Sequence, residues 1–277
     1  MYESHFGLRQ RPFRSTLDVA RYYPATAHES ALQYLRQAVQ DEEALVLLTG
    51  EPGLGKSLLG RCLLQQLGPE VRSACLTNSH LPDRVALFQA ILYELSLPYD
   101  GCSEQELRLA LTDSLLSHCG QGQSTLLIVD DAQHLSPDLI EELRLLLNLE
   151  GSAGRALQII LTGQSSLLGT LDNPGLASCR QRAVRATLEP LTPAEAADYL
   201  LHHLRAATDR PEKILGGESL ELLARGSRGV PRLLNQSAHR ALSLAYAADA
   251  DIVDAEAALE ALAALGLNTE EVMEEAA

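Results

Sequence analysis

Ala44-Leu45-Val46-Leu47-Leu48-Thr49-Gly50-Glu51-Pro52-Gly53-Leu54-Gly55-Lys56-Ser57-Leu58 decides the fold of this chain. The run ALVLLTG, apolar and ending in glycine, reads as a buried strand. Gly50 to Ser57 fits G-x-x-x-x-G-K-[ST] at every fixed position, and KSLLGRCLLQQLG continues with apolar residues at helical spacing. Glycines let such a loop wrap until its N–H groups point inward at phosphate oxygens, and the helix opening near Lys56 adds its positive end. Lys56 supplies a mobile charge to the β- and γ-phosphates, and Ser57 a hydroxyl to Mg²⁺. The expected contact stretch is Gly50, Glu51, Pro52, Gly53, Leu54, Gly55, Lys56, Ser57 and Leu58. The chain has only two lysines, Lys56 and Lys213, and uses arginine almost everywhere else.

Four more strands are expected at Val71–Leu76, Thr125–Asp131, Leu157–Thr162 and Ala183–Leu188. Continuous apolar strands separated by helices indicate a parallel sheet covered on both faces. The fold class is therefore α/β, a three-layer core on a five-stranded parallel sheet. Leu126-Leu127-Ile128-Val129-Asp130-Asp131 ends one strand in two acids, at the sheet edge where ligands of open α/β folds bind. Asp130 is the expected Mg²⁺ ligand, directly or through water, and Asp131 the base or water-orienting group.

After about Glu189 only helical patterns follow. Thr192-Pro193-Ala194-Glu195 is a capping box with proline at the first helical position. Helices are expected to about Ala206, then at 217–225, 231–248 and 254–265. The expected division is an N-terminal segment and first helix packed on the core (1–40), the α/β domain (41–190), a small all-helical domain (191–266) and an acidic, disordered tail (267–277).

Formal charge is −15, which repels phosphate backbones and anionic lipid unless basic residues are segregated on one face. Five cysteines lack metal-ligand spacing, and Pro12 and several charges stand where a signal peptide needs an apolar stretch. No apolar run reaches the roughly 18 residues of a membrane span. A cytoplasmic protein with free thiols is expected.

With the flanking residues added, the chain resembles AAA+ ATPases of the ExeA/GspA general-secretion type, which are similar to the TniB/TnsC transposition ATPases. The resemblance rests on Phe6-Gly7-Leu8 with Pro12-Phe13, the 50–57 loop, Asp130-Asp131-Ala132-Gln133-His134-Leu135-Ser136 and Leu161-Thr162-Gly163-Gln164. It continues at Gln181-Arg182 and at Arg228-Gly229-Val230-Pro231-Arg232-Leu233-Leu234-Asn235. It implies a P-loop core with a helical lid, ATP and Mg²⁺ as cofactors, and a homo-oligomer.

It further implies that Thr162 and Gln164 contact the γ-phosphate or attacking water. Arg182 would act on a neighbouring subunit's nucleotide and Arg232 would report nucleotide state to the lid. Phe6 and Phe13 would line the adenine pocket. The implied activity is ATP hydrolysis that drives assembly or remodelling of a protein client in secretion or export. A nucleotide-gated switch with negligible hydrolysis and a DNA-loading ATPase are the alternatives, the latter disfavoured by charge. Two departures stand out. Asp131 replaces the family's usual glutamate and draws the carboxylate back by about one C–C bond, so slow hydrolysis is expected. The sequence also stops after the lid, where relatives continue to a membrane span and a peptidoglycan-binding part, so no direct peptidoglycan role is expected.

Overall fold

The computed structural model describes residues 2–14, 16–152 and 154–267; the expected disorder of the acidic tail falls on 268–277, outside them. Two compact units emerge. One comprises 28–52 and 56–188, the other 1–27, 53–55 and 189–277.

The first unit is built on Leu45–Thr49 (β1), Val71–Leu76 (β2), Ser124–Val129 (β3), Gln158–Gly163 (β4) and Ala183–Thr187 (β5). Their order is β2-β3-β4-β1-β5 and every ladder is parallel. β1 and β4 are buried at every position, as central parallel strands must be. Helices Thr26–Gln40 (α1), Lys56–Gln66 (α2), Arg84–Glu94 (α3), Glu104–Gly120 (α4) and Pro137–Leu146 (α5) alternate with the strands. Leu45, Leu47, Leu127, Val129, Ile159 and Leu161 share one core with Phe88 and Ile91 of α3, Leu111 of α4 and Leu143 of α5. Strand side chains alternate between faces, so Val46, Leu126, Ile128 and Ile160 are turned to the opposite layer. There Gly60 of α2 lies against Ile128. That is the expected three-layer α/β sheet.

Local chemistry sets the helix ends. Asp83 and Ser103 cap α3 and α4, the latter with a capping box to Glu106. Ser136 caps α5 with Pro137 in its first turn. α5 ends at Leu146. A small ribbon pairing Glu150–Gly151 with Gly154–Arg155 begins soon after it. Short helices Ser166–Leu171 (α6) and Ala177–Arg182 (α7), unread in the sequence, fill the β4–β5 connection.

One buried charge in this unit sits on α5. Glu142 is 2% exposed and is clamped by Arg84 of α3, at 3.2 Å, and Arg108 of α4. The Arg108 guanidinium also lies 5.2 Å from the Phe88 ring centroid.

The second unit is helical: Pro193–Arg205 (α8), Gly217–Gly226 (α9), Pro231–Ala247 (α10) and Ala255–Ala263 (α11). Leu200, Leu204, Leu223, Leu234, Ala238, Leu242 and Leu262 form its core, together with Tyr2, Leu8 and Phe13 from the N-terminal segment. The Thr192–Glu195 capping box is present, and Glu195 also accepts from the Thr26 N–H at 2.9 Å. Those backbone N–H groups lower the Glu195 carboxyl to about 2. Burial, with His202 and Arg21 nearby, lowers His203 to about 4.

Candidate active site

At the carboxyl end of β1 the chain turns into the glycine loop. Gly53 and Gly55 adopt φ of +87° and +99°, a region closed to most side chains. Lys56 opens α2 and is only 6% exposed. Its ammonium donates to the carbonyls of Gly50, at 3.0 Å, and Glu51, at 2.8 Å. The Gly50 N–H donates to the Gly163 carbonyl at 3.2 Å, tying the loop to the end of β4. Leu54 is buried, Ser57 and Leu58 are half-buried, and Glu51 and Pro52 are exposed.

Register brings the acids to this loop's neighbour strand. Val129 pairs with Leu161, so the next residues, Asp130 and Thr162, leave adjacent strands side by side. Asp130 is 9% exposed and Thr162 is 1% exposed. The Thr162 hydroxyl donates to Asp130 Oδ1, which also accepts the Asp131 N–H at 3.1 Å. From the other side the buried Ser79 hydroxyl donates to the Asp130 carbonyl, and the Asp130 N–H donates to the Leu76 carbonyl at 2.9 Å. One carboxylate is thus locked in orientation through Oδ1. Asp130 and the Ser57 hydroxyl are both hard oxygen donors, the set that suits Mg²⁺ over a softer ion.

Asp131 is exposed and turns the chain with φ 50° and ψ 40°. Its Oδ1 accepts from Gln133 Nε2 at 3.1 Å, and Gln133 Oε1 accepts the Gln164 N–H at 3.1 Å. A backbone N–H can only donate, which fixes Gln133 Oε1 towards Gln164 and its NH₂ towards Asp131. His134, one residue on, stacks on His80 with ring centroids 4.1 Å apart. Burial, then the Asp130 and Glu94 carboxylates, raise the Cys75 thiol on β2, which disfavours its thiolate.

Arg182, the last residue of α7, is exposed and donates to Asn148 Oδ1 at 3.1 Å, apart from the acid network. In the helical unit Arg232 is exposed, and its N–H donates to the Gly53 carbonyl at 3.3 Å. Phe13 is fully buried in that unit's core, its ring 6.4 Å from His203. Phe6 is half-buried, edge-on to His5 at 4.7 Å. Ser79 and Gln133 carry site contacts that the sequence reading did not assign. Gln133 lies within a quoted motif, whereas nothing local marks Ser79.

The AAA domain family matches residues 39–171. The chain carries an AAA domain. Over 249 residues it is 39% identical to General secretion pathway protein A of Aeromonas hydrophila, covering 89% of this chain and 45% of that protein. The chain thus spans less than half the length of this relative. The resemblance read in the sequence is borne out.

Solved structures share the fold of the AAA domain and its helical continuation. Cdc6p from Pyrobaculum aerophilum superposes with a TM-score of 0.71 at 19% identity, covering 94% of this chain and 70% of that one. An Aeropyrum pernix ORC2 structure, described as ADPNP–ADP complexes, gives 0.70 at 14% identity, with 92% and 72% covered. The RuvB P216G mutant of Thermotoga maritima gives 0.60 at 18%, with 92% and 75% covered. Among the described residues no helix is long and apolar enough to cross a membrane.

Proposed function

We propose that this chain binds Mg-ATP and hydrolyses it to drive assembly or remodelling of a partner complex associated with secretion or export. The observation that carries this reading is the presence in one α/β unit of Lys56, held by the loop's own carbonyls, and of a buried Asp130 fixed by Thr162 on the adjacent strand. Phosphate oxygens would replace the carbonyls of Gly50 and Glu51 as partners of Lys56. Asp130 and Ser57 would hold Mg²⁺, which neutralises charge on the phosphates when bound. Thr162 would orient Asp130, Gln164 would stand by the attacking water, and Asp131 would take its proton.

Arg182, exposed at the end of its helix, would serve a second copy's nucleotide in a homo-oligomer, and Arg232 would couple the loop tip to the lid. Phe6 and Phe13 would border adenine. The domain division would follow: an α/β module for the triphosphate and a helical lid. The reaction would take place in the cytoplasm. The secretion association comes from the relative in Aeromonas hydrophila, whose printed name states it.

A second reading, a switch that binds ATP and barely hydrolyses it, is favoured by one feature. Asp131 is a short acid already engaged by Gln133. A DNA-loading role has support from an Aeropyrum pernix ORC1 structure in complex with DNA, and the charge of −15 opposes it. Turnover of ATP by the wild type and by Lys56→Ala decides the leading reading. We expect a loss of at least tenfold in the variant, on the order expected for a charge on the transferring phosphoryl group. Equal, robust turnover in both proteins would sink it.

A further inference from the structure

Asp131 lies outside the regular strands and helices. It sits in a left-handed turn between the end of β3 and a single helical turn, Ala132–His134, and its side chain is exposed. An exposed aspartate in such a place would ordinarily sample several rotamers. Here one carboxylate oxygen is taken by Gln133, whose other amide atom is taken by the backbone of Gln164. A single planar group therefore spans Asp131 and the residue that follows β4.

The space for that bridge is built in. A Cβ on Gly163 would lie 2.7 Å from Gln133 Oε1, closer than such contacts occur, so the amide fits only because position 163 has no side chain. Gly163 also accepts the Gly50 N–H, so the bridge ends on the strand end that holds the phosphate loop. On the far side of the turn, the His134 ring stacks on His80 and limits how the turn can rotate.

We propose that Gln133 is a positioning residue: it sets the direction of the Asp131 carboxylate and joins it to the end of β4, so that Asp131 and Gln164 move as one. The inference rests on the reading of Asp131 as the group that takes the proton from water. Orientation of a base is worth large factors in rate and little in ground-state affinity. Gln133 itself need touch neither ATP nor water.

Two variants separate the arms of the bridge. Gln133→Glu keeps the shape and an oxygen acceptor for Gln164, but turns a second carboxylate oxygen towards Asp131 in place of the N–H donor. Gln133→Ala removes both arms. Expected for Gln133→Glu is a fall in kcat of about tenfold or more, with ATP affinity within about twofold of wild type. Expected for Gln133→Ala is the same fall in kcat, with faster hydrogen exchange at the Gln164 amide; in Gln133→Glu that amide stays protected. A purely packing role predicts no effect of the isosteric glutamate. Turnover of Gln133→Glu within twofold of wild type, or a parallel loss of ATP affinity, overturns the proposal. Should wild type and Lys56→Ala both lack turnover, the ATPase reading fails on its own. The bridge is then judged by exchange alone: equal Gln164 exchange in wild type and Gln133→Ala overturns it.

Discussion

Replacing Thr162 by valine keeps a branched side chain and removes one hydroxyl. In the folded protein that hydroxyl is buried and donates to Asp130 Oδ1. A hydrogen bond to a charged acceptor contributes about 1.5–3 kcal/mol. The extra buried methyl of valine returns about 0.8 kcal/mol. Asp130 keeps the Asp131 N–H, so its charge is not left bare. The expected net loss is about 1–2 kcal/mol. For a domain of this size that lowers Tm by about 2–8 °C. Thermal and urea unfolding of the protein without nucleotide measure it, with the urea slope unchanged. Thr162→Ser, which retains the hydroxyl, should lose less than the valine variant. A valine variant as stable as wild type, or a serine variant that loses as much, would refute the hydrogen-bond account.

The Glu142 clamp gives a second test. Arg84 and Arg108 are 46% and 36% exposed and can turn to water, so Glu142→Gln should cost about 1–3 kcal/mol, below the loss for a fully buried pair. An unchanged urea midpoint would show the clamp to be idle. His203 sets an acid limit on the helical unit. It stays neutral when folded down to about 4, while its ordinary value is 6.5, so the unfolded chain binds the proton first. Its contribution is fully present above 6.5 and is lost as pH falls towards 4. His203→Leu should therefore flatten the fall of Tm over that window, and an unaltered slope counts against a buried neutral imidazole.

The sheet was legible because its strands are unbroken apolar runs, a pattern that burial on both faces demands. The glycine loop and Asp130 were legible for a related reason: their chemistry is local and written in adjacent residues. Thr162 stands at the end of an apolar run, but its partnership with Asp130 depends on strand order and register, which no single segment encodes. Ser79 reaches Asp130 across a sheet crossover and has no local signature. Glu142 has no local signature either, since only the packing of α3, α4 and α5 buries it. The short helices after β4 are too brief for periodicity to show.

Asp131 holds a backbone angle of +50°. Aspartate and asparagine enter this region more readily than longer side chains, because a short polar group can bond its own neighbourhood. Aspartate and glutamate codons differ only in the third base, so the longer acid is always one replication error away. A lineage that acquired it would gain reach towards water and lose backbone ease at the same position. In this chain the backbone angle suits the shorter acid, apart from any selection on turnover.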